Sequence, residues 1–124
     1  MTCGDRTTSS VEVYKGESKT LQLTILDCER NAVDLTGATL YFTVKGNLND
    51  CKVLFQKTSA QASEILILSP ATDGVAEIYI SPSDTSALDA GDYKYDIWVV
   101  LSSGKQVPVI APSLFKVIQP VTTF

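Results

Sequence analysis

Leu88-Asp89-Ala90-Gly91-Asp92-Tyr93-Lys94-Tyr95-Asp96-Ile97-Trp98-Val99-Val100 is the stretch on which the reading of this chain turns. A turn holding Asp-Ala-Gly runs into a long strand whose first apolar residue is a tyrosine. β-Sandwiches build a tyrosine corner in this way: the ring packs inward and the hydroxyl bonds backbone upstream. Gly91 and Tyr93 are therefore read as structural. From Tyr93 onward the period is two, with Tyr93, Tyr95, Ile97, Val99 and Leu101 on one face and Asp92, Lys94, Asp96 and Trp98 on the other.

The same period recurs on both sides of that stretch. Val11 and Val13 start a first strand, broken at Lys15-Gly16-Glu17. Leu21, Leu23 and Ile25 alternate with Gln22 and Thr24 in a second. After the polar turn Asp27 to Asn31 come Val33 and Leu35, then Thr36-Gly37, and Ala38 to Lys45 reads as a strand with Leu40, Phe42 and Val44 inward and Tyr41 and Thr43 outward. Gly46 to Asp50 is a loop, and Cys51 to Lys57 a strand with Val53 and Phe55 expected on one face. Glu64 to Leu68 and Val75 to Ile80 pair across a loop too long for a tight turn. Ser81-Pro82-Ser83-Asp84 can cap a single helical turn, proline suiting its first position. Ser102-Ser103-Gly104-Lys105 makes a hairpin into Gln106 to Ile110, where Pro108 predicts an edge strand or a bulge. Pro112 is expected to break the chain before a last strand, Leu114 to Ile118. No ten-residue stretch has a helical period. Eight or nine short strands with regular turn signals predict an all-β fold, an immunoglobulin-like β-sandwich.

At 124 residues the chain is read as a single domain, 1–124, with 1–9 as a flexible N-terminal arm and 119–124 as a C-terminal tail. That length buries roughly two thirds of the unfolded surface without staples. With 44% hydrophobic and 19% charged residues, the composition is that of an ordinary globular protein. A formal charge of −4, with ten basic residues that never cluster, speaks against nucleic-acid partners. No apolar run approaches the ~18 residues that span a membrane, so no membrane partner is expected. Residues 1–8 have no apolar core and do not read as a signal peptide. Cys3, Cys28 and Cys51 are odd in number and widely spaced, which predicts free thiols in a reducing compartment; a Cys3–Cys28 or Cys28–Cys51 bridge stays open.

The chain has no histidine, which removes Ser-His-Asp, Cys-His and histidine–metal arrangements. Its glycines sit singly at turns, so there is no phosphate loop. Ser102 to Lys105 spells S-x-x-K, but that motif needs a helix to bring lysine to serine, and here it spans a hairpin tip. Asp84, Asp89, Asp92 and Asp96 lie close in sequence without the spacing of a calcium loop, and aspartate is common in turns because it caps backbone N–H groups. No catalytic residue, cofactor or metal is expected; the chain is read as a non-enzyme. Trp98 stands out: by parity it faces away from the core, beside outward Val100 and near outward Tyr41. Those three form a candidate interaction surface. Alternatively, a loop or the C-terminal segment through Val121 and Phe124 covers the indole.

Several motifs in order resemble one family. They are Lys15-Gly16-Glu17 before an alternating strand, the run Ala32-Val33-Asp34-Leu35-Thr36-Gly37-Ala38-Thr39-Leu40-Tyr41-Phe42-Thr43-Val44-Lys45, then Asp73-Gly74-Val75-Ala76-Glu77-Ile78, then Ala90-Gly91-Asp92-Tyr93-Lys94-Tyr95-Asp96-Ile97, and a hairpin ending in Phe115-Lys116-Val117. The Val33 to Thr39 run is the most specific. Over Val11 to Ile118 the chain resembles the immunoglobulin-like N-terminal domain of phage upper-baseplate (receptor-binding tail) proteins. The resemblance implies an attachment module without catalytic residues. It departs from the pattern by ending at Phe124, which suggests a stand-alone structural or adaptor protein. Antibody-type domains match less well, because Tyr95 stands where their second core cysteine would be.

The expectation is a non-enzymatic virion structural or adaptor protein of a bacteriophage, in tail, baseplate or head decoration, assembled in the host cytoplasm. Its partners would be other virion proteins, with a homo-oligomer as one form and no small-molecule ligand. The Tyr41–Trp98 face is the first candidate docking surface and the edge holding Val107 and Val109 the second. Rival readings are a carbohydrate-binding sandwich that stacks a sugar on Trp98 beside Asp92 or Asp96, and a bacterial surface adhesin domain.

Overall fold

The computed structural model describes residues 10–26, 29, 31–46 and 53–121. Cys3, Cys28, Cys51 and Phe124 lie outside the described residues, and with them the question of a disulfide. The strands are β1 (Val11–Tyr14), β2 (Lys19–Thr24), β3 (Thr39–Lys45), β4 (Val53–Thr58), β5 (Ile65–Ile67), β6 (Val75–Ile80), β7 (Gly91–Val100) and β8 (Gln106–Ile118), with one helical turn, α1 (Pro82–Ser86), between β6 and β7. They form a five-stranded sheet in the order β1-β8-β7-β3-β4 and a three-stranded sheet in the order β2-β6-β5. All pairs are antiparallel except β1 on β8, which is parallel with Val11 opposite Phe115. The fold is the expected all-β sandwich.

Strand parity builds the core. Leu40, Phe42 and Val44 of β3 alternate with half-buried Tyr41 and Thr43; Tyr95, Ile97 and Val99 of β7 pack beside them, and Ala76, Ile78 and Ile80 face them from the second sheet. Phe42 lies 5.2 Å from Tyr95 and 6.1 Å from Phe115 between ring centroids, with Phe55 5.8 Å from Phe115. Tilted and edge-on arrangements of this kind suit the aromatic quadrupole.

The Asp34 to Gly37 turn plugs the core from one end. Asp34 Oδ1 accepts the Thr36 N–H at 2.9 Å and the Thr36 hydroxyl at 2.6 Å, and Leu35 between them is buried. The Leu35 N–H reaches the Ala71 carbonyl at 3.0 Å. The most specific part of the family-like run is thus a structural turn.

Two local expectations need correction. Val53 does not share a face with Phe55: a register shift between Val44 and Lys45 inserts an extra residue in β4, so Val53 pairs with Lys45 and is exposed. Pro112 does not divide the last segment; β8 runs unbroken from Gln106 to Ile118, absorbing both prolines through register shifts against β7. Between β2 and β3 an isolated bridge joins Leu26 to Ala32.

Candidate functional site

Tyr93 begins the buried face of β7, and its hydroxyl donates to the Asp89 carbonyl oxygen at 2.5 Å. Gly91 opens the strand opposite Val117. This contact ties the turn after α1 to the strand that carries the outward residues.

On the outer face of the five-stranded sheet, Tyr41 and Trp98 are direct cross-strand neighbours, and Val100 follows opposite Thr39. The structure therefore brings the three predicted surface residues together. They line a shallow basin of ≈ 480 Å³ with Thr43, Lys45 and Val53 along β3 and β4 and Gln106 at its rim. Trp98 remains 39% exposed, so no described segment covers the indole; Val121 is fully exposed. The indole N–H donates to Asp96 Oδ2 at 3.1 Å, which aligns the ring along its own strand. Gln56 Nε2 donates to Thr43 Oγ1 at 3.0 Å and closes the opposite wall.

Two features of this face were missed in the sequence. Val53 joins it through the β4 bulge, which no local pattern announces. Lys45 and Lys94 pair directly across β3 and β7; that juxtaposition needs the register, which only the fold supplies.

The second predicted surface has a different character. Val107 and Val109 are buried, so that stretch offers backbone rather than apolar side chains. Since β1 pairs with β8 only over Phe115–Ile118, the other half of β8 has no described strand on its outer side. Nearby, a groove of ≈ 550 Å³ opens between the sheets, lined by Val11, Leu21, Leu23, Tyr95, Ile97 and Ile110 among others.

The four clustered aspartates are dispersed. Asp84 pairs with Lys57 at 2.6 Å and accepts the Ser81 N–H at 2.7 Å, while Asp96 holds the indole. Among the described residues no three His, Cys, Asp or Glu side chains converge as a metal site requires. The Ser102–Lys105 segment is the β7–β8 hairpin, closed by Leu101 N–H to the Lys105 carbonyl at 2.9 Å. No described helix is long and apolar enough to cross a membrane.

No family model matches the chain, and no curated protein does. Among solved structures, the N-terminal domain of phage TP901-1 ORF48 is similar over 90% of this chain and 84% of that one, with a TM-score of 0.51 and 11% identity. CopC from Methylosinus trichosporium OB3b is similar over 94% of this chain and 91% of its own, with a TM-score of 0.49 and 13% identity. At these identities the likeness to the phage domain is one of fold.

Proposed function

We propose that this chain is a non-enzymatic structural or adaptor component of a bacteriophage particle, in tail, baseplate or head decoration, which acts by docking onto other virion proteins. The observation that carries docking is the outer face of the five-stranded sheet. It places Trp98, Tyr41 and Val100 around a basin where the fold has no need of aromatic side chains. Aromatic residues in a shallow depression are what protein interfaces use as anchors. The phage setting is supported by the family-like motifs, Val33 to Thr39 above all, and by the fold shared with the phage TP901-1 ORF48 domain.

One observation favours a second reading. The indole held by Asp96, with Thr43 and Gln56 opposite, is also a platform on which a sugar ring could stack. Light scattering on the wild type and Trp98→Ala separates the two. An oligomer that dissociates on substitution supports docking through this face. An oligomer of unchanged mass overturns docking there. With a monomer, saturable quenching of Trp98 fluorescence by simple sugars moves the reading to carbohydrate binding, and no response leaves a different virion protein as the partner.

A further inference from the structure

Each outer face of the sandwich has one row whose charges make no ion pair among the described residues, lysines on the larger sheet and a glutamate on the smaller. On the five-stranded sheet Lys45 lies directly opposite Lys94, with Leu114 next across in the same row. Like charges facing each other across strands destabilise a sheet. Neither lysine makes an ion pair among the described residues, although Asp96 lies one row away and is engaged by Trp98. The contrast is Lys116 on the same face, which sits between Asp92 on β7 and Glu12 on β1.

The outer face of the three-stranded sheet has the converse. Glu77 lies at its centre, paired across to Gln22 on one side and Leu66 on the other. Its carboxylate accepts the Tyr79 hydroxyl at 2.9 Å and meets no described cation. Leu66 beside it is 38% exposed although it lies mid-strand in β5. Each face thus sets an exposed apolar residue next to an unmatched charge: Val53 and Trp98 with two lysines, Leu66 with a glutamate.

From this complementarity we infer that copies of the chain associate head to tail, the three-stranded face of one copy seating on the five-stranded face of the next. Leu66 enters the Tyr41–Trp98 basin and Glu77 lies against Lys45 and Lys94. Because the two surfaces differ, the contact is heterologous; it closes into a ring or extends as a stack. The inference rests on docking through the Trp98 face and adds the identity of the partner.

A mixing experiment tests it. The double variant Lys45→Glu/Lys94→Glu keeps its three-stranded face, and Glu77→Lys keeps its five-stranded face. Alone, each is expected to sediment as a monomer under conditions where the wild type assembles, with cooperative unfolding retained because all three positions are on outer faces. Mixed, they are expected to assemble again in alternation, because the two intact faces pair and the two reversed faces carry complementary charges as well. Wild-type assembly should also weaken as salt is raised. A wild type that stays monomeric at every concentration overturns the inference and leaves docking to another protein standing. An assembly that Trp98→Ala disrupts but Glu77→Lys does not overturns head-to-tail contact and keeps the Trp98 face. A mixture that stays monomeric where the wild type assembles also overturns it, since head-to-tail contact leaves an intact pair of faces between the two variants.

Discussion

Gly74 has φ 68°, and a Cβ there would come within 2.8 Å of the Ile25 carbonyl oxygen and 2.9 Å of the Val33 carbonyl oxygen. The left-handed backbone disfavours any L side chain, and the close carbonyls leave a methyl no room. The same glycine's carbonyl accepts the Ile25 N–H at 2.8 Å, so a shift here pulls on the end of β2. Gly74→Ala is expected to cost about 2–4 kcal/mol, the joint effect of left-handed strain and overpacking, read as a lower urea midpoint at unchanged slope. Asp34 behaves differently because its contribution depends on charge. The Thr36 hydroxyl and N–H stabilise its carboxylate and hold its pKa below the ordinary 3.8. A depressed folded pKa gives stability that is present above the unfolded value and lost as pH falls through the folded one. Asp34→Ala should therefore lower the melting temperature at neutral pH, and the gap to wild type should narrow as pH drops below the ordinary carboxylate range. A gap that stays constant as pH falls through and below that range would assign the effect to backbone freedom alone.

At the scale of elements, the turn α1 is fastened to an edge strand by one ion pair. Ser81 precedes Pro82, and Asp84 returns its carboxylate to the Ser81 N–H, as a cap requires. The same Oδ2 takes Lys57 Nζ from β4 at 2.6 Å, with side chains 11% and 14% exposed, so the pair links the crossover between the sheets to the rim of the larger one. Asp84→Ala removes the cap and leaves a nearly buried ammonium unmatched, an expected loss of about 2–3 kcal/mol. Lys57→Met keeps the aliphatic stem near Phe55 and should cost less; in that background Asp84→Ala should cost only the cap, about 1 kcal/mol. Equal effects of Asp84→Ala in both backgrounds, measured as a double-mutant cycle, would show that the ion pair adds nothing. The cap was legible in Ser81-Pro82-Ser83-Asp84, as were the parities of β3 and β7, because these depend on neighbours within a few residues. The partner of Asp84 was not: parity puts Lys57 on the Phe55 face, but which residue meets it depends on how β4 is placed against α1. The bulge that turns Val53 outward escaped for the same reason, as did the unbroken β8: Pro108 and Pro112 signal a break locally, while a long pairing with β7 carries the strand through them. The Tyr41–Trp98–Val100 face could be read because parity alone assigns it, but its lysine row is a property of strand pairing.

For the whole molecule, the outer face of the larger sheet is where the fold and the proposed docking role part. Replacing its aromatic residues by polar ones would leave the core of Phe42, Tyr95 and Phe115 intact, because the two sets point to opposite sides of the same strands. This separation makes Trp98 an internal reporter, as it is the one tryptophan in the chain. At 39% exposure its emission should be that of a partly hydrated indole in dilute solution. If copies stack through this face, the emission maximum should move to the blue as protein concentration rises, in step with the mass measured by scattering. Lys45→Glu/Lys94→Glu should abolish the concentration-dependent shift while leaving the dilute spectrum unchanged, since neither lysine is needed to place the ring. Added salt should reverse the shift, because a contact steered by exposed lysines and a glutamate is screened over about 10 Å at 0.1 M ionic strength. A blue shift that follows mass but ignores both salt and the lysines would assign the contact to apolar burial around Trp98, Tyr41 and Val53. The head-to-tail register would then lose its basis, and the aromatic basin would remain the surface proposed for docking.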